Sequence, residues 1–335
     1  MERIGNSLIL GLALFASVLL FSGCSDGTKD QVGANGTAKK RIAVIPKGTT
    51  HPCWKNVEAG AMQAGKDNNF EIIWKGALVE SDRAQQIQIL KQFITQKVDG
   101  IVLAPLDAKA PGIIRAVKEA KDAGIPVVIM DSALNAEAGK DFVSFTATNN
   151  REAGKMGGEH LAKLLGGKGK VVILRYMEGS ASTENREAGC IEALKKHPDI
   201  EIIAEPYAAG SGTISDAKKR AISIAATLEK ANGCFASNDS ATVGLLRALE
   251  AIGLTGKIKF VGFDASQPSV QALKNNKIQA LVAQNLTNMG REAVNVLAKH
   301  LKGEKVPLFI NTGAGLLTPD NLETEESKKL LKQAK

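Results

Sequence analysis

From residue 41 onward, short runs of β-branched and other apolar residues alternate with amphipathic stretches of 12 to 18 residues. The pattern predicts a strand at RIAVIP (41–46) and a helix over about 52–68, then a strand at EIIWKG (71–76) and a helix over 82–97. GIVLAP (100–105) is a third strand, followed by a helix to about 123, and IPVVIMD (125–131) is a fourth. The second half repeats the design. Strands are expected at KVVILRY (170–176), EIIAEPY (201–207), GCFASND (233–239), KFVGFD (259–264) and IQALVAQN (278–285). Helices are expected over 183–196 and 213–230 and after each of the last three strands. Strands apolar on both faces imply a parallel sheet covered by helices on each side. The halves also echo each other: KVDGIVLAP (97–105) parallels KANGCFASN (230–238), and IPVVIMD (125–131) parallels IKFVGFD (258–264). The pattern therefore predicts two similar doubly wound α/β domains, and 335 residues suit two domains of ordinary size.

Ahead of residue 41 the pattern changes. Arg3 gives a short positive segment, and residues 8–21 (LILGLALFASVLLF) form a 14-residue apolar core. Ser22-Gly23-Cys24 follows, so residues 1–23 read as an export signal. The segment resembles the bacterial lipobox, in which the Cys is diacylated and becomes the new N-terminus; Phe21 stands where Leu is usual. Cys24 is thus the expected lipidation site, holding an exported domain at a membrane face by its acyl chains, in the periplasm or at the cell surface. A plain secretory signal or an uncleaved anchor is the alternative. Residues 24–40, rich in Gly, Thr, Asn, Asp and Lys, read as a flexible tether. The net charge of +8 fits an anionic membrane surface or cell wall, since export argues against nucleic acid as a partner.

In doubly wound sheets ligands bind beyond the carboxyl ends of the strands. In the first half those positions carry Lys47, Thr49, Thr50, His51, Cys53, Trp54, Asp107, Asp131 and Ser132. In the second half they carry Arg175, Glu178, Arg186, Asn238, Asp239, Phe263, Asp264 and Gln284. Acids, amides, an arginine and an aromatic suit a polyhydroxylated neutral ligand. Each sugar hydroxyl both donates and accepts, and an aromatic face covers the C–H side of the ring. Taken singly, Asp131 and Asp264 also fit helix N-caps, Asp239 is expected to cap the helix after it, Arg186 fits a solvated helix face and Trp54 a core position. The convergence of such groups on one edge in both halves favours binding.

Motifs for catalysis fail. GAMQAGKD (60–67) approaches a phosphate-binding loop, but Asp67 stands where Ser or Thr would hold magnesium and the segment lies within a helix. No GxSxG, HExxH or dinucleotide fingerprint is present. His51 and Cys53 are two residues apart, but no second cluster in the sequence completes a metal or nucleophile site. Cys53, Cys190 and Cys234 lie on different expected elements and read as packing residues. The expectation is a protein that is not an enzyme and uses no metal and no cofactor.

Taken together, HPCWKNVEAGAMQAGKD (51–67), VDGIVLAPLD (98–107), AGIPVVIMDS (123–132), TATNNREAGKMGGEHL (146–161), ASNDSATVGLLRALEAIG (236–253) and FVGFDAS (260–266) resemble the periplasmic sugar-binding proteins of the ribose/galactose-binding type. These are solute receptors of ABC importers with the type I periplasmic binding protein fold, and the resemblance covers residues 41–318. It implies a ligand contact at His51 and stacking on Trp54. It implies hydroxyl bonding by Asp131, an arginine from the second domain at Arg186, and amide and acid contacts at Asn238, Asp264 and Gln284. Ser182 is expected to line the pocket and Phe263 to touch the ligand edge. The chain departs from the pattern at Cys53, where a second aromatic is usual, at Ser132, where ribose-binding members carry Arg, and at Ala104, where they carry Asn. Ribose itself is therefore in doubt. Lys47 with Asp131 and Ser132 is similar to the autoinducer-2 receptor branch, and a lysine in the cleft also fits an acidic or phosphorylated sugar.

The same resemblance implies two domains joined by three hinge strands near 146–150, 284–285 and 311–313. The N-terminal lobe would be 40–147 plus 285–311, and the C-terminal lobe 148–284 plus 312–335. A monomer would close on a sugar and deliver it to an ABC transporter permease. The alternative is a receptor presenting a sugar or autoinducer-2 to a membrane sensor. A LacI-type regulator would need a helix-turn-helix domain where only a signal and tether stand.

Overall fold

The computed structural model describes residues 38–51, 53–208 and 210–331. The signal, Cys24 and nearly all of the tether lie outside the described residues. The first half runs β1 (Lys40–Ile45), α1 (Cys53–Asp67), β2 (Phe70–Trp74), α2 (Arg83–Thr95), β3 (Gly100–Leu103), α3 (Pro111–Asp122), β4 (Val127–Met130) and β5 (Ser144–Ala147). The chain continues with α4 (Asn150–Leu164), β6 (Lys168–Leu174), α5 (Ala181–Lys195), β7 (Asp199–Ala204), α6 (Ile214–Ser223), α7 (Ala225–Leu228) and β8 (Gly233–Ala236). It ends with α8 (Asp239–Ala251), β9 (Lys259–Phe263), α9 (Gln267–Lys274), β10 (Ala280–Gln284), α10 (Leu286–Leu301), β11 (Phe309–Asn311), β12 (Ala314–Leu317) and α11 (Glu325–Leu331).

Two six-stranded sheets result, ordered β11-β5-β4-β3-β1-β2 and β12-β10-β9-β8-β6-β7. All pairs in the first are parallel; in the second only β12 runs antiparallel, against β10. Each sheet is buried on both faces. In β1, Ala43 and Ile45 enter one apolar cluster while Ile42 and Val44 enter the other, the period of two that a pleated strand imposes. The chain passes from one sheet to the other three times, between β5 and α4, between β10 and α10, and between β11 and β12.

The pattern missed β5, β11 and β12, which flank the crossings, and did not assign α4. It also drew 213–230 as one helix, which breaks at Ile224 into α6 and α7. Helix α4 packs tightly on α5. A Cβ at Gly154 would collide with the carbonyl of Arg186, so a glycine there lets the start of α5 sit close against its neighbour.

Candidate functional site

The strands of both sheets point their carboxyl ends at one gap, and turns there aim side chains into it. Asp131 directly follows β4 and Asp264 directly follows β9. Both adopt the left-handed conformation (φ 62° and 68°), which Asp tolerates better than most residues. Each donates its N–H to the neighbouring strand, Asp131 to the Thr146 carbonyl at 3.0 Å and Asp264 to that of Val282 at 2.8 Å. These are equivalent positions in the two halves. Neither aspartate is a helix cap.

Lys47, just past β1 and 4% exposed, crosses the gap. Its Nζ lies 2.9 Å from Asp131 Oδ2 and donates to Ser182 Oγ at 2.8 Å. Ser132 Oγ accepts from the Ser182 N–H at 3.1 Å. Glu80 joins the halves a second time. It accepts from Trp54 Nε1 at 2.8 Å and from the Tyr176 hydroxyl at 3.0 Å. Burial and the adjacent Glu80 carboxylate push the Tyr176 phenol well above its ordinary range.

Arg186 anchors the opposite wall. Its Nε donates to Asn150 Oδ1 (2.8 Å), one terminal nitrogen to the Ser237 carbonyl (3.1 Å) and the other to Gln284 Oε1 (2.7 Å). The guanidinium lies 4.0 Å over the centre of the Phe263 ring. Gln284 in turn donates to Asp264 Oδ1 at 2.7 Å, and Asp264 Oδ2 accepts the Asp239 N–H at 3.0 Å. A guanidinium has five N–H groups, so these bonds leave two of them unused.

At the third side His51 Nε2 sits 3.4 Å from Asp239 Oδ2 without hydrogen-bond geometry. The expectation that Asp239 caps α8 is corrected. Asn238 is the cap, extended (φ −157°) with its Oδ1 accepting the Ala241 N–H at 3.0 Å. Asp239 is already the first helical residue and is buried against His51. That burial raises its carboxyl, partly offset by the His51 charge. Burial, and then the carboxylates of Asp264, Asp239 and Glu80, push the Cys53 thiol up.

These groups surround a small polar cavity of about 50 Å³ between the two sheets. Ten sequence-derived candidates line it: Lys47, His51, Cys53, Trp54, Asp131, Ser182, Arg186, Asn238, Asp264 and Gln284. Ser132 and Phe263 do not; Ser132 props Ser182 and Phe263 lies beneath Arg186. Sequence reasoning missed Glu80, Tyr176, Thr183, Val57 and Leu286 in the lining. Arg175, Glu178 and Asp107 do not line this cavity and border a more open outer cleft. Arg175 pairs with Glu187 at 2.7 Å and stacks over Tyr207, while Asp107 pairs with Arg83 at 2.9 Å. The lining holds three carboxylates (Glu80, Asp131, Asp264) against two cations (Lys47, Arg186), and Asp239 behind His51 adds a fourth carboxylate.

Residues 42–305 match the family model described as "Periplasmic binding protein domain". A D-ribose/D-allose-binding protein of Pseudomonas aeruginosa is 30% identical over 298 residues, 87% of this chain and 91% of that protein. A xylitol-binding protein of Mycolicibacterium smegmatis is 30% identical, over 77% of this chain and 71% of that protein. Among solved structures, an ABC transporter solute-binding protein from Agrobacterium vitis with bound D-fucose superimposes with TM-score 0.82 at 33% identity, covering 87% of this chain and 99% of that one. These relatives are substrate-binding proteins rather than enzymes. The fold, with two parallel-dominated α/β units crossed three times, and the enclosed polar cavity agree with that likeness, and the chain belongs to the periplasmic binding protein family.

Proposed function

We propose that this protein captures a neutral sugar or polyol between its two α/β lobes and delivers it to an ABC transporter permease. The carrying observation is the charge and satisfaction of the cavity. Lys47 is held by Asp131 and Ser182, and Arg186 spends three of its five donors on protein acceptors, so the cations keep only two N–H groups, both on Arg186, for a ligand. Carboxylates outnumber cations around the empty space. A phosphate or uronate would add negative charge to that excess, whereas hydroxyls can donate to Asp264 and Glu80 and accept from the spare N–H groups of Arg186. Trp54 offers its ring and His51, Asn238 and Gln284 further polar contacts. This reading sets aside the acidic or phosphorylated sugar that Lys47 alone suggested.

The lobes divide at the three crossings, giving 40–147 plus 285–311 and 148–284 plus 312–335. Contacts across the gap, Lys47 to Ser182 and Glu80 to Tyr176, favour a closed form in equilibrium with an open one. The protein acts as a monomer, without turnover, tethered to a membrane by a lipid on Cys24. Relatives described as importer components favour delivery to a permease over presentation to a sensor. Calorimetry with neutral pentoses, hexoses and inositols, set against uronates and sugar phosphates, tests the reading. At least one neutral ligand should bind, with its carboxylated or phosphorylated counterpart at least tenfold weaker. Preference for an anionic counterpart would overturn it.

A further inference from the structure

The sequence offers His51 and Cys53 as an incomplete pair; folding supplies a third donor. One ring nitrogen of His51, Cys53 Sγ and a carboxylate oxygen of Asp239 all lie within 4.8 Å of one another. His51 and Cys53 flank the start of α1 in one half, and Asp239 opens α8 in the other. An independent observation marks the spot. Among the described residues His51 Nε2 is a buried ring nitrogen with no hydrogen-bond partner, and it faces Asp239 Oδ2 at ion-pair distance, 3.4 Å. Buried polar atoms are nearly always hydrogen-bonded, so a ring nitrogen that meets a carboxylate at ion-pair distance without hydrogen-bond geometry, beside a thiol, suits an occupant between them. The other Asp239 oxygen lies 3.4 Å from Ser269 Oγ, and the Ser266 side chain also bonds this carboxylate.

We propose that His51, Cys53 and Asp239 form a binding site for a borderline-soft divalent metal ion of the zinc type, which bridges the two lobes. One imidazole nitrogen, one sulfur and one carboxylate oxygen are a donor set suited to zinc or cobalt rather than to calcium or magnesium, which take oxygen ligands. Bond lengths of about 2.0–2.3 Å place neighbouring donors of a tetrahedral ion roughly 3.3–3.8 Å apart. His51 and Asp239 already meet that spacing, and the rest requires a shift of about 1 Å at Cys53 or His51. On binding, the Cys53 thiol gives its proton to solvent and its sulfur takes the metal in place of the hydrogen. The carboxylates of Glu80 and Asp264 around the cavity, held by neutral donors, add to the attraction for a dication. Since the donors come from both halves, the ion holds the lobes together without sugar and occupies one end of the same cavity.

The experiment is a cobalt titration of the full exported chain, reduced and free of sugar, so that its outcome does not depend on any sugar binding. One equivalent of cobalt should produce the thiolate-to-cobalt charge-transfer band and the intense visible absorption of a tetrahedral site, and zinc should displace both. Cys53→Ser should abolish the charge-transfer band, and His51→Gln should weaken zinc binding by at least tenfold. Both positions line the cavity and are less buried than Asp239, and circular dichroism melts establish that each variant is folded. Absence of the band in the wild-type chain, or its persistence in folded Cys53→Ser, overturns the proposal.

Discussion

Replacing Arg186 by alanine tests the wall of the cavity most directly. Arg186 is 2% exposed and satisfies three acceptors: Asn150 Oδ1, the Ser237 carbonyl and Gln284 Oε1. Stranding buried acceptors at about 1–2 kcal/mol each sums to roughly 3–6 kcal/mol. Loss of the stack on Phe263 adds about 1–2 kcal/mol. Two features reduce the total. Gln284 Oε1 keeps its bond from Thr148 Oγ1 at 3.0 Å. The space vacated also joins the existing cavity, so water can enter and bond the remaining acceptors. The expected loss is therefore at the low end, about 3 kcal/mol, read as a lower urea midpoint at unchanged slope. Binding suffers separately. Two lost charge-assisted donors and a loosened Gln284–Asp264 pair should weaken sugar affinity by about 2–4 kcal/mol, roughly 30- to 1,000-fold by calorimetry. Arg186→Lys should recover less than half of either loss, because an ammonium cannot span three partners set in the plane of a fork. A folded Arg186→Ala protein within about 1 kcal/mol of wild type and with unchanged sugar affinity would refute the reasoning.

Two further outcomes follow from the buried charges. Lys47→Met strands Asp131 and should cost about 3 kcal/mol in urea unfolding, while Lys47→Met with Asp131→Asn together should fall within about 1 kcal/mol of wild type. In the absence of ligand the single variant should also show a larger radius of gyration by small-angle scattering, since the bridge to Ser182 is lost. Burial raises the Glu187 carboxyl above its ordinary value of 4.5, against the opposing bonds from Arg175, Tyr176 and Ser237. The folded protein then binds that proton more tightly than the unfolded chain. The resulting stability is fully present below the ordinary carboxylate range and lost as pH rises through the folded value. Thermal melts over about pH 4–7 should therefore show a more shallow decline, or a steeper rise, with pH in Glu187→Gln than in wild type; parallel curves would argue against the assignment.

The alternation of elements was legible because central parallel strands are apolar on both faces. β3, β4, β8 and β10 are buried at every position and could be read from composition alone. The crossing strands could not. β5 carries Ser144 and Thr146 as fully buried polar residues, and β11 is three residues long with two of them exposed. Neither offers an apolar run, and each is a strand only because its neighbour supplies a ladder. Helix α4 hid for a related reason. Gly154, Gly157 and Gly158, poor helix formers, are present for close packing against α5 and the sheet, a reason that exists only after folding.

At the cavity the sequence pointed to most of the turns that border it but not to the phase of each side chain. Tyr176 and Arg175 leave the end of β6 as neighbours, so the pleat sends them opposite ways. Tyr176 enters the cavity and Arg175 goes out to Glu187 and Tyr207, whereas sequence reasoning favoured the charged residue. Glu80 lies in a loop beyond edge strand β2, where no periodicity marks it, yet it joins Trp54 to Tyr176. Counting polar groups also could not show which of them satisfy each other. Lys47 and Asp131 each look like a ligand contact, but 2.9 Å apart and buried they cancel most of one another's charge. What the cavity presents is therefore the remainder after such pairings: the carboxylates of Glu80 and Asp264, held by neutral donors, and two spare N–H groups of Arg186. That remainder accepts more than it donates, and on the proposed reading it selects for a hydroxyl-rich ligand without an anionic group, a selection that neither Lys47 nor Asp131 alone would have indicated.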